Sequence, residues 1–259
     1  MAISLLTHRE LIENLVMRDI KARYKQSTLG IAWAIVTPLT TALIYTVVSK
    51  YFLKVDTGLV AFPVFAYYGL LFWTLFSGGL SGATDSLVGH LSLITKVYFP
   101  REVIPFAAVL GKLTDFFFGL LGLVPLLLIF PTSVSPAILL IAPLVLFQVL
   151  FTAGLGMLLA CANLFYRDVR HLVQLLLALW LYMVPNLYPI HMVPERFLPL
   201  YLLNPMATFI HTARTLAFPQ LGDEIYGLYL AIAVVVSVVT FVVGYVVFKR
   251  YEPKFAESI

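Results

Sequence analysis

The chain has 259 residues, 61% of them hydrophobic and only 12% charged. A soluble domain of this size carries about 25% charged residues, so this little charge cannot cover a core so rich in Leu, Val and Phe, and the bilayer is the expected solvent. The net charge of +4 then reads as a topology signal, not as a nucleic-acid footprint, and the single cysteine, Cys161, leaves no intrachain disulfide.

Taken in order, Ile3–Gln26 has the pattern of an amphipathic helix lying on the membrane. Thr7 and Glu10 fit a capping box, with Leu6 and Leu11 as its hydrophobic staple. At about 100° per residue, Glu10, Asn14, Arg18, Lys21 and Lys25 gather on one face. Leu11, Ile12, Leu15, Val16, Ile20 and Tyr24 gather on the other, interrupted by Asp19 and Arg23. An interfacial helix with snorkelling basic residues is the expected form; a plain soluble helix is the alternative. No cleavable signal peptide is visible, and the first apolar run reads as an uncleaved signal anchor.

Six apolar runs follow: Ile31–Phe52, Phe62–Thr84, Ile104–Phe130, Ala137–Leu164, Leu172–Ile190 and Ile225–Phe248. Each has the roughly 20 residues that cross a hydrocarbon core. Pro185 and Pro189 bend or break the end of the fifth. His191–Glu224 is long and contains four prolines, yet it is apolar, and a long apolar loop is seldom solvated. Short re-entrant helices are expected there, with a folded external cap as the alternative. The fold class is thus all-α integral membrane. It is a single domain with an interface helix in 1–28, a six-helix membrane part in 31–248 and a cytoplasmic tail in 249–259.

Lys and Arg orient it. With the N-terminus in the cytoplasm, the inside segments hold twelve: Arg9, Arg18, Lys21, Arg23, Lys25, Lys96, Arg101, Arg167, Arg170, Lys249, Arg250 and Lys254. The outside segments hold four: Lys50, Lys54, Arg196 and Arg214. That bias places both ends in the cytoplasm.

Catalytic machinery is not apparent. No Gly-x-x-x-x-Gly-Lys-Ser/Thr phosphate loop occurs, and Gly111–Lys112 lacks its upstream glycine and following hydroxyl. His8, His90, His171, His191 and His211 do not pair at metal-ligand spacing, and no Gly-x-Ser-x-Gly elbow is present. No covalent chemistry, metal or cofactor is expected in this chain.

Polar residues inside the apolar runs say more. Lys112 and Asp115 are i,i+3 neighbours, and pairing offsets part of the cost of placing charge in a membrane; a structural ion pair and a polar pathway both fit. The first run carries Trp33, Thr37, Thr41, Tyr45 and Ser49 at i+4 steps, and the fifth carries Gln174, Tyr182 and Asn186 in a similar row. Rings that stack and hydroxyls and amides that bond suit a sugar; interhelical packing and an interfacial aromatic belt are the alternatives. Gly78 and Gly82 have the spacing of a close helix contact, a weak pointer to a dimer. The segments Asp85–Pro100 and Asn163–His171 are compact enough to dock on another protein or to be bland turns. An ion-driven transporter would want inverted repeats, and none is visible. A membrane-bound transferase would want acidic or His clusters, and none is convincing.

The stretch Arg18 to Trp33 resembles the N-terminal signature of permease subunits of ABC-type polysaccharide exporters. It has Arg18-Asp19, Arg23-Tyr24, Leu29-Gly30, Trp33 and then Pro38. Lys96–Pro100, Asn163–Asp168 and Asn204-Pro205-Met206 also resemble family motifs, and the similarity spans nearly the whole chain. The resemblance implies ATP-driven export of a lipid-linked polysaccharide of O-antigen type across a bacterial inner membrane; capsular polysaccharide or teichoic acid is the alternative cargo. It implies a homodimer with two copies of a separate ATP-binding subunit, on which ATP and Mg would sit. Trp33, Thr37, Thr41, Tyr45, Ser49, Gln174, Tyr182 and Asn186 would then line the channel. His90, Thr95, Lys96, Tyr98, Arg167, Asp168 and Arg170 would meet the ATPase. Arg18, Lys21, Arg23 and Lys25 would guide the lipid pyrophosphate among the membrane lipids. No nucleic-acid partner is implied.

Overall fold

The computed structural model describes residues 9–25, 27–96 and 99–257. The expected cap at Leu6 and Thr7, and Tyr98, lie outside the described residues, as do the side chains of Thr95 and Lys96. Within the described residues every regular element is helical. The α-helices are α1 Arg9–Tyr24, α2 Trp33–Val47, α3 Phe62–Gly89, α4 Leu91–Lys96, α5 Val103–Leu121, α6 Leu123–Ile129, α7 Ile141–Phe165, α8 Val169–Trp180, α9 Leu198–Leu202, α10 Pro205–Ala217 and α11 Gly227–Tyr251.

Among the described residues, five stretches are long and apolar enough to cross a bilayer: Gly30–Leu53, Phe62–Gly89, Val103–Ile129, Pro136–Phe165 and Gly227–Phe255. The fifth expected span differs. Its helix covers only Val169–Met183, about 22 Å at 1.5 Å per residue, against a hydrocarbon core of about 30 Å. Leu181–Met183 tightens into a 3-10 turn and Val184 is extended, as the approach to Pro185 requires. The six-helix expectation therefore resolves into five full-length helices and one short one.

α3 is the central pillar. Twenty of its 28 residues are buried, and α2, α5, α7, α8 and α10 all pack on it. Its aromatic residues make the core: Phe72 meets Phe116 edge-on at 5.1 Å, and Phe76 meets Trp180 edge-on at 5.0 Å, the T-shaped geometry ring quadrupoles favour. Buried polar groups are bonded into this core. The Tyr67 hydroxyl donates to the Gly119 carbonyl at 2.7 Å, and Gln148 Nε2 donates to the Phe72 carbonyl at 2.7 Å.

α7 and α11 touch backbone to backbone. A Cβ at Gly154 would sit 2.5 Å from the Thr240 carbonyl oxygen and 2.6 Å from Phe241 Cα, so only glycine permits this approach. Gly78 and Gly82 serve a helix contact within the chain. They face α5 of the same chain, with Lys112 and Ala108 over them.

At one end of the bundle a second core gathers Leu87, Ile94, Ile104, Met157, Cys161, Leu164, Phe248 and Phe255. The tail is thus a docked helical turn. Arg101 donates from its backbone N to Glu252 Oε1 at 3.0 Å and from Nη1 to the Glu252 carbonyl at 2.7 Å. Lys249 bridges Glu102 at 2.7 Å and Glu252 at 2.9 Å. Beside this core, Leu15 of α1 packs on Val103 and Ala107 of α5.

At the opposite end, short helices form where re-entrant ones are expected. Asn204 caps α10 by accepting from the Met206 N–H at 3.1 Å, with Pro205 at the first helical position. Eleven of the 13 residues of α10 are buried. Arg214, counted from sequence as an external cation, is among them. Its Nη1 donates to the Pro185 carbonyl at 2.6 Å, and its guanidinium lies 3.6 Å over the Phe65 ring. Gly69 makes room for it: a Cβ there would run into the guanidinium and stand 2.7 Å from Asn186 Oδ1.

Candidate functional site

The two polar-aromatic rows flank α3. A cavity of about 330 Å³ lies between α2, α3 and α5, walled by Trp33, Thr37, Thr74, Ser77, Lys112 and Asp115 among others. A second cavity, also about 330 Å³, lies between α3 and α8, with Gln174 and Leu181 facing Ser77, Gly78 and Ser81. Ser77 and Gly78 border both, so the small side chains of α3 form the floor of a continuous face between α2 and α8.

Of the two rows, Trp33, Thr37 and Gln174 line these cavities. Trp33 is half exposed and Tyr182 is 62% exposed. Tyr45 is partly buried. Thr41 directs its hydroxyl proton back to the Thr37 carbonyl at 3.1 Å, leaving its lone pairs as acceptors. Ser49 and Asn186 do not belong to the face; both are fully buried. The backbone explains why. Val48–Leu53 widens into a π-helix, which shifts the phase of the row and turns the Ser49 hydroxyl to the Leu187 carbonyl at 3.4 Å. Asn186 follows Pro185 beyond the end of the helix, where i+4 spacing has no meaning, and lies beside Gly69 and Arg214.

The Lys112–Asp115 pair forms as the i,i+3 spacing predicts, at 3.0 Å, within a larger constellation. Arg23 Nη1 reaches the same Asp115 Oδ2 at 2.5 Å and its Nη2 donates to the Gly111 carbonyl at 3.0 Å. The Tyr24 hydroxyl donates to Asp115 Oδ1 at 2.8 Å. Burial first, then the bond to Asp115, pushes the Tyr24 phenol up to about 12, so it stays a donor. Sequence reasoning missed this junction because Arg23 and Tyr24 are about ninety positions from Asp115; the interruption of the apolar face of α1 by Arg23 was its only trace.

Two basic residues expected to meet lipid phosphate make contacts within the chain. Arg23 holds Asp115, and Arg18 lies against His90 Nε2 and 3.2 Å from Asp19. Because Arg18 only donates, that His90 nitrogen accepts, and Nδ1 carries the proton and donates to the Ser86 carbonyl at 2.7 Å. His90, expected to face a partner, therefore anchors α1 to α3. Arg18 nonetheless remains exposed, as do Lys21 and Lys25.

Arg167, Asp168 and Arg170 are exposed in and beside the α7–α8 turn. With Asp85, Val88, Gly89 and Asn163, the two arginines border a cavity of about 380 Å³. Asn163 ties the turn to α3: its Nδ2 donates to the Thr84 carbonyl at 3.0 Å and to Asp85 Oδ1 at 3.3 Å, and its Oδ1 accepts from the Arg170 N–H at 3.2 Å. No group of three or more His, Cys, Asp or Glu placed to hold a metal occurs among the described residues.

The profile described as ABC-2 type transporter matches residues 10–218. An O-antigen export system permease protein RfbA of Myxococcus xanthus is 32% identical, over 97% of this chain and 96% of that protein. A Klebsiella pneumoniae protein of the same name is 30% identical over 96% and 95%. The polysialic acid transport protein KpsM of Escherichia coli is 21% identical over 93% of both chains.

Proposed function

Because this chain belongs to the ABC-2 type transporter family, we propose that it is the membrane subunit of a polysaccharide exporter, with a lipid-linked glycan of O-antigen type as cargo. ATP hydrolysis occurs on separate ATP-binding subunits, two of them serving a homodimer of this chain. The full-length similarity to the O-antigen permeases favours that cargo over the polysialic acid named for the more distant relative.

The observation that carries the reading is the face between α2 and α8. Trp33 offers a ring, Thr37, Ser77 and Ser81 hydroxyls and Gln174 an amide around a small-residue floor on α3, and Tyr45 and Tyr182 extend the same two rows. In the inner membrane, with both ends in the cytoplasm, the α7–α8 turn and α4 meet the ATPase. Closure of the ATPase dimer pushes on these segments, and the shared core behind them moves α3 and α7 together. The glycan threads along the α2–α8 face. The short α8 completes its crossing through the largely buried segment 184–190, and α9 and α10 re-enter the outer leaflet beside it. Non-helical backbone at membrane depth is tolerated where protein surrounds it. Lys21 and Lys25 draw the anionic lipid carrier to the entry side.

Mild detergent extraction of the tagged chain tests the class: an ATP-binding subunit is expected to co-purify in stoichiometric amount, with ATPase activity that depends on this chain. Absence of such a subunit would overturn the exporter reading. For the lining, Tyr45→Ala and Tyr182→Ala are expected to cut export in cells severalfold, and wild-type export by both would remove the α2–α8 face from the path.

A further inference from the structure

Charge does not balance at the junction of α1, α3 and α5. Asp115 holds two cations, Arg23 at 2.5 Å and Lys112 at 3.0 Å, and its second oxygen is taken by Tyr24. Asp19, a carboxylate bordering the neighbouring cavity, is paired with Arg18 at 3.2 Å. One positive charge is left over, at the edge of a largely apolar bundle where unpaired charge is expensive.

The surplus belongs to Lys112. Arg23 is pinned by its further bonds to the Gly111 and Asp19 carbonyls, so it stays with Asp115 and neutralises it. Lys112 has a single such contact and a half-buried side chain. Its stem lies along Gly78, where a Cβ would stand 3.2 Å from Cδ and Cε. It borders both the cavity of about 330 Å³ and its neighbour of about 300 Å³, so its ammonium can swing between Asp115 and either space. The Ser77 hydroxyl borders the first cavity and Trp33 walls it.

We propose that this cavity is a phosphate-binding site, in which the Lys112 ammonium leaves Asp115 to hold an oxygen of a phosphate or diphosphate group. The site stands on its own charge and geometry; that the phosphate belongs to the lipid carrier of a glycan rests on the exporter reading. A lone ammonium suits this task, because it is a point charge that turns freely toward an anion.

Calorimetric titration of the full-length chain with inorganic pyrophosphate tests it. One saturable site per chain is expected. Lys112→Met should weaken binding at least tenfold, Lys112→Arg should restore most of it, and Asp115→Asn should tighten it by releasing Lys112 from its competitor. No saturable binding by wild type, or equal binding by Lys112→Met, would overturn the site. If Lys112→Met does not fold, the opposite-signed Asp115→Asn decides alone: unchanged or weaker binding by that folded variant counts against the site. In nanodiscs, a polyprenyl diphosphate should displace pyrophosphate and phosphatidylglycerol should not. Displacement by phosphatidylglycerol alone would overturn the carrier assignment in favour of bulk lipid. Neither readout uses the ATPase or export, so failure here leaves the exporter reading standing, and failure of the ATPase to co-purify leaves the phosphate site standing.

Discussion

Single atoms decide whether the outer end of the bundle closes. Gly69 is the case in point: a methyl group there meets both Arg214 and Asn186, two side chains with almost no exposed surface. Gly69→Ala should destabilise the protein by about 1–3 kcal/mol, the range for overpacking a filled interior. Gly89→Ala, where nothing lies within 4 Å of the new Cβ, should be neutral or slightly stabilising on helix propensity. Thermal midpoints of the two variants in one detergent check the contrast, and equal midpoints would refute it. At this scale the sequence was legible wherever chemistry was local. Lys112 and Asp115 are one turn apart, so their pairing followed from spacing. Arg214 was read as an exterior cation because its neighbours Phe65, Gly69 and Pro185 come from distant stretches, and no local pattern announces a buried guanidinium.

Elements were legible to the extent that one period described them. The first four apolar runs and the last become full-length helices because their hydrophobic content continues for a whole crossing. The fifth does not, because Pro185 forbids the helix to continue, and the row built on it loses Asn186. Ser49 is lost from the other row for a subtler reason, a π-turn that no residue type signals. The link between elements that the sequence conceals most is Asn163, whose amide joins the end of α3 to the first turn of α8. Asn163→Leu keeps the branched shape but strands the Arg170 N–H and removes the bond to the Thr84 carbonyl, a loss on the order of 1–3 kcal/mol. On the exporter reading proposed above, the variant should still bind the ATPase while showing weaker coupling, read as ATPase turnover per glycan exported. A wild-type ratio would show that the two segments need no tie.

For the molecule as a whole, composition was enough to fix the solvent and the helical class, and the distribution of Lys and Arg gave it an expected orientation. What composition could not convey is that the tail is part of the core. Phe255 is fully buried, 5.2 Å from Phe248 and 6.2 Å from Phe165 between ring centres, and it shares a cluster with Ile94 of α4. Phe255→Ala should cost about 3–5 kcal/mol by the measure of soluble cores, and limited proteolysis should then cut near Lys254 and Arg101 faster than in wild type. An unchanged cleavage rate would mean that the turn is not held there. The docked tail also sets an order of manufacture. The pocket that receives Phe255 is assembled from α3, α4, α5, α7 and α11. Until α11 has left the ribosome and entered the bilayer, that cluster lacks Phe248 and Phe255, and the nascent chain offers an unfinished apolar surface to whatever meets it first. Quality control that recognises such surfaces would thus read a chain stalled before α11 as incomplete, though four of its five full-length helices were already in place.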